Sequence, residues 1–216
     1  MITANIKKRV YTSVALLLLV FLILKFNFFL VFFLIIFGIL SLIEFYGIIK
    51  KILKNKLYLT LINFFFTTYI FTFTFLFFFF SNFLQFKILL FSLLFACIGS
   101  DIGGFIIGKK IKGPKLTKIS PNKTISGAVG SLFFSSIIFS ISIFYYTNHF
   151  SFTVVIISLI TSLSCQLGDI FFSLLKRKAK IEDTGNFLPG HGGVLDRLDG
   201  IFLGIPVGFM SSILLY

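Results

Sequence analysis

Charge is scarce in this sequence, and acid is scarcer still: 12% of the 216 residues are charged, and only seven of them are Asp or Glu. With 57% hydrophobic residues and a mean hydropathy of +1.06, that shortage excludes an ordinary soluble globular domain and places the chain among integral membrane proteins. Tryptophan is absent while phenylalanine occurs 34 times. Any large apolar side chain satisfies a lipid-facing helix, so no function follows from that bias. The two cysteines, Cys97 and Cys165, lie in apolar runs without CxxC spacing. Neither a disulfide nor a zinc site is expected from them. The chain also lacks a P-loop, a Ser-His-Asp set and a reactive cysteine, which argues against a covalent intermediate.

What is plentiful is positive charge. A net +13 would suggest nucleic acid in a soluble protein, but 18 of the 20 basic residues fall in four clusters, at Lys7 to Arg9, Lys50 to Lys56, Lys109 to Lys123 and Lys176 to Arg197. Apolar runs separate them, which is the pattern of cytoplasmic loops under the positive-inside rule. A nucleic-acid partner is therefore not expected; the partner is the lipid bilayer.

The runs predict an all-α, polytopic transmembrane helical bundle of about seven spans with two cytoplasmic loops carrying the site. The first run resembles a signal peptide but has no small-residue cleavage site, so it reads as retained. Val10 to Ile49 is too long for one span, which needs roughly 20 residues, and breaks most naturally at Lys25-Phe26-Asn27 into a hairpin. Further spans are expected over Leu57 to Phe80, Lys87 to about Gly108, Ile125 to Tyr146, Phe152 to Leu175 and Leu198 to Leu215. Residues 1–98 read as scaffold and 99–216 as the catalytic membrane region. Glu44 reads as an interfacial carboxylate that snorkels toward Lys50 and Lys51, and His149 as part of a surface turn. Asp101 lies inside the fourth span, where a charge costs some 2.5 to 3.5 kcal/mol. Gly99 with Gly103, and Gly104 with Gly108, form small-xxx-small pairs that admit another helix closely.

Five of the seven acids, Asp169, Glu182, Asp183, Asp196 and Asp199, fall between Gln166 and Gly200. Gln166, Asp169, Ser173, Lys176 and Arg177 recur every three or four residues and so form one polar side of the sixth helix. Asp169 and Asp196 could share a hard cation, and oxygen ligands of this kind suit magnesium, which bridges substrate phosphates. Asp199 either joins Asp196 on one face or serves as the N-cap of the last helix. Asp183 either joins the site or pairs with Lys180, and His191 could simply fix the glycine loop. Lys176, Arg177 and Arg197 can neutralise phosphate, and the glycines of LPGHGGVLD let amides approach an anion. Lys118, Ser120, Lys123 and Thr124 precede the fifth helix, whose N-terminal amides also favour an anion.

Ser173, Lys176, Arg177, Asp183, Gly185, Pro189, His191, Gly192, Gly193, Asp196, Arg197 and Asp199 together resemble the signature of the phosphatidate cytidylyltransferase, or CDP-diglyceride synthase, family. Asp101, Gly108, Ser120, Pro121, Lys123, Thr124 and Gly127 match a second stretch of it. The resemblance covers about Ser100 to Gly200, and the chain is short for that family. It implies a polytopic, dimeric enzyme of the bacterial inner membrane with its active site on the cytoplasmic side. That enzyme condenses CTP with phosphatidate to give CDP-diacylglycerol and pyrophosphate. It implies magnesium held by Asp169 and Asp196, with potassium as an open question, and catalytic roles for Asp169, Asp196, Asp199, Lys176, Arg177 and His191. Substrate binding would fall to Ser120, Lys123, Thr124, Ser173, Asp183, Gly192, Gly193 and Arg197. A CTP-dependent lipid kinase, a membrane cation transporter and a catalytically impaired relative are the competing readings.

Two positions depart from the pattern: Glu182 stands where the family usually has Lys, and Ser126 where it usually has Glu. If this is a charge exchange, Glu182→Lys and Ser126→Glu made together should differ from the sum of the single effects by about 0.5 to 3 kcal/mol in activation free energy. Purely additive rates across the double-mutant cycle would refute the exchange.

Overall fold

The computed structural model describes residues 18–187 and 192–215. A short helix α1 over residues 18–25 is followed by α2 (Asn27–Ile52), α3 (Lys56–Ser81), α4 (Leu84–Ile111), α5 (Ile125–Thr147), α6 (Phe152–Lys178) and α7 (Leu195–Leu215). Six of these helices, α2 to α7, are long and apolar enough to cross a membrane. The all-helical expectation holds, and the spans fall where the apolar runs lie. The first expected span falls largely on residues outside those described. The interruption comes at Phe26, whose backbone is extended (φ −129°, ψ 116°). Leu19 lines the same apolar pocket as Phe33, Ile36 and Phe37, so the chain doubles back there.

Two compact units are present, one of residues 1–82 with 175–198, the other of residues 83–174 with 199–216. In the first, α2 lies against α3: the Phe45 and Phe66 rings stack at 3.7 Å, and Gly38 leaves room for the Ile70 side chain. Much of α3 is a lipid-type surface, with Phe64, Phe65, Phe71 and Phe75 exposed. Its threonines would be costly in lipid with free hydroxyls. Thr60, Thr68, Thr72 and Thr74 each donate to the carbonyl one turn back, at 2.8 to 3.0 Å, so helix and side chains satisfy one another.

The second unit is built on small residues, because lipid supplies no hydrophobic drive between helices and close backbone approach must supply dispersion instead. On α4, Gly103 and Gly104 face Gly127, Gly130 and Ser131 of α5; a Cβ at Gly103 would stand 2.5 Å from the Gly130 carbonyl, and one at Gly130 2.5 Å from Ile107 Cβ. The small-residue pairs of the fourth span therefore meet small residues on its neighbour. An equivalent stripe, Gly200, Gly204 and Gly208 on α7, rests on Thr161 and Cys165 of α6 and on Cys97 of α4. It too is a run of small-xxx-small spacings, legible in the sequence once the pattern is sought beyond α4. Hydroxyl pairs complete the seams: Ser100 with Ser162 at 2.8 Å and Ser136 with Ser158 at 2.9 Å.

The α4–α5 connection is pinned. Gly113 (φ 117°) takes the left-handed turn after α4, Leu116 N–H donates to the Lys123 carbonyl at 2.8 Å, and Ile125 N–H to the Pro114 carbonyl at 3.0 Å. A basic loop that composition alone would leave loose thus has a fixed path.

Gly130→Leu should force α4 and α5 apart and lower stability by about 1 to 3 kcal/mol or more. In the same detergent, Gly47→Ala should be neutral or slightly stabilising, since nothing lies within 4 Å of a Cβ there. Thermal unfolding of the purified variants checks both, and equal effects would refute the packing argument.

Candidate active site

In the 83–174 and 199–216 unit, a cavity of about 580 Å³ opens among α4, α5, α6 and the α4–α5 loop, lined in part by Asp101, Ser120, Lys123, Thr124, Gln166 and Asp169. Asp169 comes from α6, one turn after Gln166, and Lys123 reaches its Oδ2 at 3.0 Å from the pinned loop. Gln166 is turned by its own bond to the Ala128 carbonyl, 3.3 Å. Asp101 joins them: ligand atoms of Asp101, Cys165 and Asp169 lie within 4.8 Å of one another, with Cys165 Sγ 3.9 Å from Asp101 Oδ1. Both cysteines are free and buried. The carboxylate oxygens suit a hard cation, whereas a thiol suits it poorly. On donor chemistry, Asp169 fits magnesium.

At the N-terminus of α5, where an anion is expected, some of the amides already have partners. Thr124 Oγ1 accepts from Gly127 N–H at 3.1 Å, so it is the helix's own cap, and Ile125 N–H is already spent on Pro114. That helix end offers an anion fewer amides than its position suggests. Ser126, a departure from the family pattern, donates its hydroxyl to the Lys112 carbonyl. Lys118 is exposed and Ser120 half-buried, the latter fixed by its N–H bond to Thr117 Oγ1 at 3.2 Å.

In the other unit, Asp196 lies in the first turn of α7. Lys176, in the last turn of α6, donates to its Oδ1 at 2.7 Å, while the amides of Thr184 and Gly193 donate to Oδ2 at 2.9 and 3.0 Å. Three of the roughly four acceptor positions of the carboxylate are thereby used. It is held in one orientation, and a cation would have to compete with Lys176 for Oδ1. Gly192 has φ 84°, a conformation that favours glycine, and a Cβ there would stand 3.1 Å from Asp196 Oδ2 and 3.3 Å from the Asp183 carboxylate, contacts that those side chains would have to ease. Asp183, Arg177 and Arg197 are exposed and Ser173 is half-buried on α6. Pro189 and His191 lie outside the described residues.

Two readings of the sequence need correction. α7 begins at Leu195, not near Leu198, so Asp199 is inside the helix and is not its N-cap; its Oδ1 accepts from the adjacent Gly200 N–H at 2.9 Å. Glu44 does not snorkel. It is only 4% exposed, and it accepts from Val194 N–H at 2.9 Å, Leu195 N–H at 2.8 Å and Thr184 Oγ1 at 2.7 Å. A buried carboxylate finds donors before it finds water, and the N-terminus of α7 supplies them. The apolar Val194 just ahead of that helix cannot cap it, and this was the signal that another residue must.

The fold is that of a polytopic helical membrane protein, with two lysine-held aspartates, one of them beside a cavity among its helices. Comparison with known proteins is more specific: residues 50–214 match the Cytidylyltransferase family, and the chain belongs to it. A phosphatidate cytidylyltransferase of Rickettsia felis is 42% identical over 134 residues, 56% of this chain and 58% of that protein. Those of Helicobacter pylori and Mycobacterium leprae are 39% identical over 112 residues and 37% over 113, each covering 52% of this chain but 42% and 36% of the relative. The chain thus spans little more than half the length of the relatives it matches, or less.

Removing one partner of the buried pair leaves Asp196 to its two backbone amides. Lys176→Met should cost about 1 to 3 kcal/mol of stability. Lys123→Met should cost less than about 1 kcal/mol, because that pair is more open, at 31% and 19% exposure. Chemical or thermal unfolding of both variants tests the order, and a larger loss for Lys123→Met would refute it.

Proposed function

We propose that the protein transfers a cytidylyl group from CTP to phosphatidate, giving CDP-diacylglycerol and pyrophosphate. The observation that carries this reading is the pair of lysine-held aspartates, Asp169 with Lys123 and Asp196 with Lys176, at the two positions for which the family resemblance implies metal binding. In the reaction a phosphatidate oxygen forms a bond to the α-phosphorus of CTP as the bond from that phosphorus to the pyrophosphate oxygen breaks. Electron pairs balance without a covalent enzyme intermediate. The family resemblance implies magnesium binding by Asp169 and by Asp196, with potassium a candidate companion; a bound ion would supply charge neutralisation at the α-phosphate and the departing pyrophosphate.

The chain's own residues do the rest. Lys123 and Lys176, each poised on a carboxylate, can exchange that partner for a phosphate oxygen without moving far, so their positive charge is already in place. Ser120, with its loop pinned, lines the cavity beside Lys123 and Asp169, as does Gln166. Arg177 and Arg197, exposed, suit the outer phosphates of a triphosphate. The lipid substrate reaches the protein through the bilayer that the apolar helices occupy.

The same reading places the chain in the bacterial inner membrane as a homodimer with its chemistry on the cytoplasmic side. What supports the sidedness is the spacing of positive charge. The basic segments at α2–α3, α4–α5 and α6–α7 fall at every second junction, so helices that each cross once return them to one face.

Purified protein in vesicles containing phosphatidate and magnesium should release pyrophosphate from CTP in step with a cytidine-labelled lipid. Asp169→Asn and Asp196→Asn should each lower the rate by about 100-fold or more. Release of CDP with a newly phosphorylated lipid would overturn the proposal in favour of a lipid kinase. CTP binding without either product would point to an impaired relative.

A further inference from the structure

Glu44 belongs to α2, in the part of the chain where no family motif lies, yet its carboxylate is spent entirely on the segment that presents Asp196. The amides of Gly193, Val194 and Leu195 follow one another in sequence and are shared out between two carboxylates: the first goes to Asp196 Oδ2, the second and third to Glu44 Oε1 and Oε2. Thr184 joins the two from the other side of the loop, its N–H on Asp196 Oδ2 and its hydroxyl on Glu44 Oε2. Among the described residues no lysine or arginine forms a salt bridge with Glu44, so its charge is answered by dipoles alone, two of them at the start of α7.

The space around that carboxylate is cut to fit. A Cβ at Gly185 would stand 2.5 Å from Glu44 Oε1, and a Cβ at Gly193 would overlap both Oε2 and the Thr184 hydroxyl. Both glycines belong to the signature stretch, and their smallness serves Glu44 as well as the backbone. An ordinary structural carboxylate would need none of this. Here the two backbone segments that orient Asp196, at residue 184 and at residues 193–195, are the same two that Glu44 holds.

We infer that Glu44 is a positioning residue for Asp196, clamping residues 184 and 193–195 so that the Asp196 carboxylate is presented in one orientation. This rests on the cytidylyl-transfer reading above only for its consequence in catalysis; the clamp itself is a statement about backbone order.

The test compares Glu44→Gln, Thr184→Val and Thr184→Ser in the full chain, by amide hydrogen exchange and by steady-state kinetics. Gln offers one acceptor oxygen where Glu offers two, so a donor in the clamp is left unpaired. Exchange across residues 182–187 and 192–196 should quicken by about tenfold or more in Glu44→Gln, with peptides of α4 and α5 unchanged. The turnover number should fall about 10- to 100-fold with KM for CTP altered less than about threefold, the split expected when orientation rather than binding is lost. Thr184→Val should show a smaller change of the same kind, and Thr184→Ser, which keeps the hydroxyl, should recover most of it. If Glu44→Gln does not fold, the two Thr184 variants decide the matter by the same measurements. Unchanged exchange in the clamp would overturn the inference, and so would quickened exchange with unchanged turnover. An inactive wild type would refute the cytidylyl-transfer reading instead, and hydrogen exchange would then decide the clamp by itself.

Discussion

A carboxylate in an apolar helix persists only where donors meet it, and this constraint organises the protein. Asp169, Asp196 and Glu44 each meet it differently: a single lysine, a lysine with two amides, and two amides with a hydroxyl. Each set of donors is carried by a segment that would otherwise have no reason to be fixed. The α4–α5 loop is tied to α6 through Lys123, and the loop before α7 is tied to α2 and to the end of α6. Burying charge at several kcal/mol is thereby turned into local order.

Packing answers the same membrane setting in a second way. Where lipid offers no hydrophobic drive, α4 meets α5 and α7 meets α6 through glycines, with backbone close to backbone. Close approach also brings polar side chains together, since a helix that nears its neighbour on a glycine face carries its serines, Cys165 and Asp169 along. Gly200 illustrates the coupling: a Cβ there would stand 2.7 Å from Asp169 Oδ1, so one small residue serves helix contact and site geometry together. Two glycines of the family signature, Gly185 and Gly193, are read accordingly as space for the Glu44 carboxylate, while Gly192 answers a backbone turn at φ 84°.

The sites differ in how much of them could be read from residue order. Asp169 and Lys176 were legible because a polar stripe at helical spacing is conspicuous in an apolar run. Asp101 was conspicuous for the same reason, although its closeness to Asp169 was not, since 68 residues separate them. Thr124 caps α5 and also lines the cavity, a double position that a threonine before a helix does not reveal until its hydroxyl is seen to point at Gly127 N–H. Glu44 was misread because charge near Lys50 and Lys51 has an obvious local explanation, and the competing partners lie about 140 and 150 residues away.

The sequence by itself determined the all-helical class, the approximate spans, the placement of positive charge and the family signature, because hydropathy, helical period and motif spacing are local properties of the chain. Only the tertiary structure decided which carboxylate answers which donor: that Lys123 serves Asp169, that Lys176 serves Asp196, and that Glu44 serves the start of α7. Those pairings depend on which backbone amides remain unspent once helices have packed, and unspent amides are a property of the folded chain.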